Sequence, residues 1–446
     1  MNVKKPQTFF IETYGCQMNF SDSEIVASIL TEEGFEPSGD LLSADIVLLN
    51  TCSIREHAED RIRKRLHYFR SLRKKRPGLM IGLLGCMAER TKLALLEEEQ
   101  LLDLIAGPDS YRHLPGLLEK AHSGRKAIDT MLSADETYAD INPVRLDSNG
   151  VSAFISIMRG CENFCSYCVV PYARGQERSR DAISILKEAK DLFILGYREI
   201  TLLGQNVNSY YWTSNKSAIN FPGLLEQVAR LDPQLRVRFA TSHPKDVSIE
   251  LLEIIAGFPN LCKSIHLPVQ SGSNSVLENM NRKYTREEYL EKIRAIRNLI
   301  GDCAITTDII TGFCDESEED HIQTLELMNE AAFDYAFTFK YSERPLTIAA
   351  EKFHDNVPPE VKERRLREII TLQHKLSAQS NNKDLNKTFE VLVEGVSKRS
   401  DKQLFGRNTQ NKVIVFPGTG QKPGDYTKVR VLRATSATLI GEAVAG

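Results

Sequence analysis

The chain has 446 residues, 41% hydrophobic and 26% charged, the balance of a globular protein of about three domains, which excludes a disordered or fibrous chain. No apolar run approaches the ~20 residues of a membrane helix, and the N-terminus MNVKKPQTFF has no apolar signal core, so a cytoplasmic protein without membrane attachment is expected. A formal net charge of −3 excludes a globally basic surface and leaves any nucleic-acid contact to local patches.

The first ~110 residues alternate apolar runs with helical patterns and predict a parallel α/β sheet. FFIETYGC, DIVLLNTC and LMIGLLGC read as strands, and SDSEIVASILTEEG as a helix with Ser21 as N-cap and Gly34 as C-cap. The run from Arg61 to Arg76 carries nine Lys or Arg and no acid, on a helix between the second and third strands. Residues 107–150 read as a polar linker with short helices.

A second α/β series begins near Val151, with strands AFISIMR, EITLLGQ, VRFATS, SIHLPV, AITTDII and YAFTFKY separated by helical patterns such as DAISILKEAKDLFILG and REEYLEKIRAIRNLI. Six strand–helix units predict an open, partial β/α barrel. The charged helix PPEVKERRLREIITLQHKLSAQSNN leads out of it, and from about Thr388 the runs TFEVLVEG, KVIVFP, YTKVRVLRA and ATLIGEAV predict a small antiparallel β-barrel. Residues 384–446 hold ten basic and six acidic residues, net +4. The expected boundaries are 1–145, 146–383 and 384–446.

Nine cysteines in a reducing compartment point to metal binding or catalysis before disulfides. Cys161, Cys165 and Cys168 share the run RGCENFCSYC directly after the first barrel strand. Three thiolates in one loop supply three of the four ligands of a 4Fe-4S cluster and leave one iron open. A structural zinc site is the alternative, but it needs four ligands and no fourth lies nearby. Cys16, Cys52 and Cys86 are 36 and 34 residues apart, yet each ends a predicted strand. Parallel strands put those ends on one sheet edge, where ligands bind in open α/β folds, so a second open-iron cluster is expected there, with buried packing cysteines as the alternative. Cys262, Cys303 and Cys314 lack such placement and are assigned to packing.

The motifs TYGCQMN, LNTCSIREHAEDR, LLGCMAER, MRGCENFCSYCVVPYARGQERSR, LLGQNVNSY, FATSHPKD, HLPVQSGS and YSERP resemble, over essentially the full length, methylthiotransferases of the radical S-adenosylmethionine superfamily. TYGCQMN and TCSIRE resemble the branch acting on N-isopentenyladenosine in tRNA. The chain departs from the family pattern at Cys314, where Pro is usual, and at Leu346, where Gly is usual.

The resemblance implies an N-terminal cluster-binding domain, a radical core and a C-terminal TRAM barrel. It implies two 4Fe-4S clusters and two uses of S-adenosylmethionine. One methylates a sulfur on the N-terminal cluster; the other yields a 5′-deoxyadenosyl radical that takes the hydrogen from carbon 2 of the adenine. Tyr167, Gln205, Asn206, Ser242, Gln270, Ser271 and Asp308, at strand C-terminal ends or in the cysteine loop, are the expected cofactor contacts, with strand-end capping as the alternative. His243 and His266 are not expected to be bases, and no side chain is assigned as catalytic.

The expected partners are the tRNA anticodon stem-loop, an electron donor such as a flavodoxin, and an iron–sulfur or sulfur-delivery protein. Arg61, Arg65, Lys74, Lys398, Arg399, Lys402 and Arg407 are the expected phosphate contacts. The alternatives are a methylthiotransferase acting on threonylcarbamoyl-adenosine or on a ribosomal protein, and a non-catalytic iron–sulfur RNA-binding redox sensor.

Overall fold

The computed structural model describes residues 6–52, 56–90, 101–146, 149–214 and 217–444, so residues 53–55 of the LNTCSIREHAEDR motif lie outside it. The chain divides into two compact units. The first comprises 1–146, 158–163 and 168–180; the second comprises 147–157, 164–167 and 181–446. No described helix is long and apolar enough to cross a membrane.

In the first unit, β1 (Thr8–Thr13), β2 (Glu36–Pro37), β3 (Ile46–Thr51), β4 (Met80–Gly85), β5 (Leu104–Ala106) and β6 (Ala127–Asp129) form one parallel sheet in the order β2-β1-β3-β4-β5-β6. Every residue of β3 and β4 is buried, as expected for strands covered on both faces. The helix Gln17–Glu32 and the helix Leu114–His122 contribute Ile25, Leu30, Leu114 and Leu118 to one core; the helix Glu56–Lys75 places Ile62, Leu66 and Phe69 in the other.

Two sequence expectations are corrected here. The first helix begins at Gln17 with Cys16 at its N-cap, so Ser21 lies inside it; Gly34, at φ +86°, follows the C-cap Glu33. Ser21, Asp22, Ser23 and Glu24 are buried, and this polar face hid the helix start from a hydrophobic pattern. Residues 107–129 are not linker but complete the sheet through β6, which pairs in register with β5.

The second unit holds the partial barrel. β7 (Ser152–Ser156) lies at one edge of its first half; β8 (Met158–Arg159) and β9 (Arg178–Ser179) form a separate short pair in the first unit. β10 (Glu199–Leu203) pairs with β7, and a hairpin of β11 (Tyr211–Ser214) and β12 (Ser217–Asn220) precedes β13 (Arg236–Ala240), giving the order β13-β10-β7. β14 (Ser264–His266), β15 (Ala304–Thr311) and β16 (Tyr335–Lys340) form the second parallel half, and a bridge from Val237 to Leu261 links toward the first. The helix Arg286–Leu299 begins with a capping box of Thr285 and Glu288, and Ser317 and Asp320 do the same for Glu318–Ala331.

The C-terminal strands close into a five-stranded barrel: β17 (Thr388–Ser397), β18 (Ser400–Arg407), β19 (Val413–Pro417), β20 (Tyr426–Ala434) and β21 (Leu439–Ala443), in the order β17-β18-β19-β21-β20. β18 is a strand the sequence pattern missed, and β19 pairs with β21 in parallel, so the barrel is mixed rather than purely antiparallel. Arg407 joins this barrel to the core of its own unit, donating to buried Glu199 at 3.0 Å and to Glu394 at 2.5 Å. Arg238 donates to the Asn408 carbonyl at 2.7 Å, and the Tyr426 hydroxyl to the Gln234 carbonyl at 2.9 Å.

Candidate functional site

β1, β3 and β4 are neighbours in the first sheet, and Cys16, Cys52 and Cys86 follow their C-terminal ends. Two glycines make this edge tight. Gly15 has φ +127°, and a Cβ there would lie 2.4 Å from the Cys52 Cβ; Gly85 has φ +88°, and a Cβ would lie 2.4 Å from Asn50 Oδ1. Left-handed backbone at both positions requires glycine. Cys52 and Cys86 are buried and Cys16 is partly exposed. A hydrogen bond with Cys52 draws the Cys16 thiol well below the ordinary thiol range, outweighing burial, with help from the Arg174 charge and the Asn19 backbone. Burial raises the Cys86 thiol and prevails over the opposing Arg174 charge.

Beneath these cysteines the first unit buries an ion-pair network. Asp22, from the first helix, accepts from Arg159 Nη1 at 2.8 Å and from Arg174 Nη2 at 2.7 Å. Arg174 Nε also donates to Cys86 Sγ at 3.1 Å, and Arg178 pairs with Asp109 at 2.9 Å. Arg159 and Arg174 both come from the motif MRGCENFCSYCVVPYARGQ, flanking the cysteine loop in sequence, and both side chains lie in the first unit's interior. Arg159 is 1% exposed and Arg174 3%.

Burial raises the Asp22 carboxyl, and the two guanidinium charges outweigh it, leaving it below the ordinary carboxylate value. A depressed carboxyl contributes stability above its unfolded-state pKa of about 4 and loses it as pH falls. Replacing Asp22 with Ala takes the carboxylate from buried Arg174 and leaves Arg159 only Asp109 at 3.6 Å, so denaturant titration of the first unit's unfolding should show a loss of roughly 3–5 kcal/mol at neutral pH, shrinking in acid. An unchanged midpoint would contradict the network's role.

In the cysteine loop, Cys161 and Cys168 fall in the first unit and Cys165 in the second. Gly160, at φ +79°, precedes Cys161; a Cβ there would lie 1.8 Å from the Gln176 carbonyl oxygen, so this position also requires glycine. Cys161 Sγ accepts from Asn163 Nδ2 at 3.4 Å, and Cys168 Sγ from the Val170 N–H at 3.5 Å. In the second unit, Cys165 Sγ accepts from Arg282 Nη1 at 3.1 Å, and the same nitrogen donates to the Tyr167 hydroxyl at 3.3 Å.

Of the expected cofactor contacts in the second unit, Gln205, Asn206, Ser242, Gln270 and Ser271 follow strand ends, Tyr167 lies in the cysteine loop, and Asp308 falls inside β15 rather than at its end. Gln205 Oε1, both side-chain polar atoms of Asn208, Ser242 Oγ and His243 Nε2 are buried after β10 and β13 with no hydrogen-bond partner among the described residues. Orphaned polar atoms at the C-terminal edge of parallel strands fit a polar ligand such as S-adenosylmethionine. His243 Nδ1 accepts from the Lys245 N–H at 3.3 Å, which assigns the proton of the neutral ring to Nε2 as a donor. Burial, then the Arg282 and Lys245 charges, lowers His243 to about 2, so it stays neutral at physiological pH.

Asn206 is placed differently. Its Nδ2 donates to Asp246 at 2.7 Å and its Oδ1 accepts from the His243 N–H at 3.0 Å, so its side chain braces the following loop. Ser271 Oγ lies 3.3 Å from Thr324 Oγ1, and Gln270, at φ +75°, pairs its backbone with Asp308 and Ile310. Asp308 lies 3.5 Å from His266 Nε2.

Of the expected phosphate contacts, Arg61, Lys74, Lys398, Arg399 and Lys402 are exposed. Lys398 and Arg399 form the two-residue turn between β17 and β18. Arg65 instead pairs with Glu12 and lies 4.4 Å over the Tyr68 ring, and Arg407 is held by Glu199 and Glu394.

Cys262, Cys303 and Cys314 are 2%, 4% and 1% exposed, and burial raises all three thiols. Leu346 has φ +71°, which accounts physically for the glycine usual at that position. Sequence reasoning missed Asp22, Arg159, Arg174 and Arg282 as partners of the site. The available signal was the glycine before Cys16, Cys86 and Cys161, which marks crowded backbone.

The chain matches the Radical SAM superfamily over residues 155–328, the TRAM domain over 383–444, and the uncharacterized protein family UPF0004 over 8–107. A radical S-adenosylmethionine methyltransferase from Kitasatospora setae, solved with tryptophan and a cofactor analogue, shares the fold. Its TM-score is 0.58 at 15% identity, over 78% of this chain and 75% of that one. These matches define a radical S-adenosylmethionine enzyme, a class that works with a 4Fe-4S cluster and S-adenosylmethionine.

Two curated relatives are called tRNA-2-methylthio-N(6)-dimethylallyladenosine synthase. The one from Amoebophilus asiaticus is 55% identical over 98% of this chain and 92% of its own length. The one from Phocaeicola vulgatus is 57% identical over 98% and 95%. The chain belongs to this family.

Proposed function

We propose that the protein adds a methylthio group to carbon 2 of N6-dimethylallyladenosine (N-isopentenyladenosine) next to the anticodon of tRNA. The observation that carries this reading is the pair of separate cysteine sets, three at adjacent strand ends and three in one loop, in a chain of this family. The residues present fit two 4Fe-4S clusters: Cys16, Cys52 and Cys86 would hold one, and Cys161, Cys165 and Cys168 the other, each leaving an iron without a protein ligand. When bound, these clusters and S-adenosylmethionine supply sulfur, a methyl group and radical chemistry at a C–H bond that acid–base groups cannot activate.

The chain's own groups bind and orient. Gln205, Ser242 and His243 Nε2–H offer unpaired polar atoms to S-adenosylmethionine, with Tyr167, Gln270, Ser271 and Asp308 beside them in the reading and Asn206 bracing the loop. We assign residues 1–145 to the auxiliary-cluster domain, 146–383 to the radical core and 384–446 to the RNA-binding barrel. The reading places the protein in the cytoplasm, with a flavodoxin-type electron donor and a sulfur-delivery protein as partners.

The test is an anaerobic incubation with S-adenosylmethionine, reductant and tRNA bearing N6-dimethylallyladenosine, followed by nucleoside mass spectrometry. A methylthiolated adenosine supports the reading; no methylthio nucleoside, with product in a parallel incubation with ribosomal protein, contradicts it.

For tRNA binding, the exposed cations in the β17–β18 turn and at the start of β18 favour point variants over removal of the barrel, because Arg407, Arg238 and Tyr426 tie the barrel to its unit. Changing Lys398, Arg399 and Lys402 together to Ala should weaken tRNA binding and reduce the slope of log affinity against log salt by about 1 for each phosphate no longer neutralised. Equal affinity and slope would remove these residues from the interface.

A further inference from the structure

The middle of the cysteine loop is clamped by the turn that follows the helix Asn274–Asn279, all within the second unit. Ser166 donates its N–H to the Met280 carbonyl at 3.0 Å and its Oγ–H to the Asn279 carbonyl at 2.6 Å. Asn281 Nδ2 donates to the Phe164 carbonyl at 2.8 Å. Arg282 closes the clamp on Cys165 Sγ at 3.1 Å.

The remaining partners of Arg282 are neutral: the Tyr284 hydroxyl at 2.9 Å, the Tyr167 hydroxyl at 3.3 Å and the Pro268 carbonyl at 2.8 Å. Its guanidinium also lies 5.2 Å from the centre of the Tyr284 ring. Arg282 is 4% exposed, and among the described residues no carboxylate pairs with it. The arginine at the other cysteine set differs, since Arg174 is paired with Asp22 at 2.7 Å. A buried cation without a countercharge is costly unless something anionic shares its site. The sulfur of Cys165 is the one group beside it that becomes anionic as an iron ligand.

We propose that Arg282 is a positioning residue for the cluster of Cys161, Cys165 and Cys168, holding Cys165 and raising that cluster's reduction potential with an uncompensated charge. This rests on the cluster reading above. Reduction adds one negative charge beside the guanidinium, and a nearby cation together with a hydrogen bond to sulfur favours the reduced form.

The experiment is an anaerobic dithionite titration followed by electron paramagnetic resonance, with iron counted per chain. The full chain carries Cys16, Cys52 and Cys86 as Ala, so one cluster is read. Against this background, R282Q should lower the ratio of reduced to oxidised cluster about tenfold at a fixed poise, a midpoint about 59 mV more negative for a one-electron couple. R282K, which keeps the charge, should stay within about threefold of the parent, corresponding to under half that shift. An R282Q midpoint equal to the parent's, with iron retained, overturns the proposal. If R282Q holds no iron, R282K decides: a parental midpoint supports the proposal, and a tenfold fall overturns it. A parent chain with no cluster signal would overturn the cluster reading itself.

Discussion

Changing Cys161, Cys165 and Cys168 together to Ala is expected to halve the iron and sulfide of the anaerobically purified protein, from about eight of each per chain to about four, if each cysteine set holds one 4Fe-4S cluster. It should also abolish 5′-deoxyadenosine formation after reduction. The loop supplies three ligands within eight residues, and the turn at Asn279–Arg282 fixes its centre independently of metal. The protein should therefore stay folded while losing cofactor cleavage. Zinc in place of iron, or cleavage that survives in the variant, would contradict the assignment.

The complementary variant, with Cys16, Cys52 and Cys86 all Ala, is expected to keep 5′-deoxyadenosine formation and to make no methylthio product. These thiols sit on three strand ends of the first unit, whereas Cys165 and its clamp belong to the second. The clamp on the middle of the cysteine loop therefore stays in place, while Cys161 and Cys168 share the first unit with Arg174, the partner of Cys86. The variant should also stop accumulating an acid-labile methanethiol equivalent from S-adenosylmethionine alone. The packing around these positions also favours Ala as the replacement: Gly15 already leaves no room beside Cys52, so larger residues would distort the edge. Methylthiolation at a normal rate in this variant would make the three cysteines structural.

Much of the first unit was legible because β3 and β4 open on apolar runs, IVLL and MIGLLG, and lead directly to Cys52 and Cys86. Parallel connectivity alone then places those ends on one edge. The helix start at Gln17 was not legible, because the buried face of that helix is polar. Ser23 Oγ lies 2.7 Å from Thr13 Oγ1, and Asn50 Nδ2 donates to Ser23 at 2.9 Å, so hydrogen bonds take the place of apolar packing there. The strand Ser400–Arg407 was missed for a related reason. Leu404 is its one large buried residue, and Gly406 faces a Leu392 carbonyl that a Cβ would approach to 2.0 Å.

The arginines of the site escaped sequence reasoning because Arg is ordinarily a surface residue, and nothing local reveals a partner more than a hundred positions away. Arg159 and Asp22 meet across 137 residues, and Arg282 and Cys165 across 117. The expected cofactor contacts divided along the same line. Residue type and strand-end position pointed to Gln205 and Ser242, whose Oε1 and Oγ are unpaired among the described residues, and equally to Asn206, whose side chain is consumed by Asp246 and the His243 backbone. Only the hydrogen-bond partners separate the two cases.

The most direct test of the central claim is mass spectrometry of nucleosides digested from tRNA of a strain lacking this gene, beside the same strain carrying it. The account predicts that the methylthio derivative of N6-dimethylallyladenosine disappears without the gene, that its unmethylthiolated precursor accumulates, and that the intact gene restores the product. An unchanged level of the methylthio nucleoside in the strain lacking the gene would contradict it.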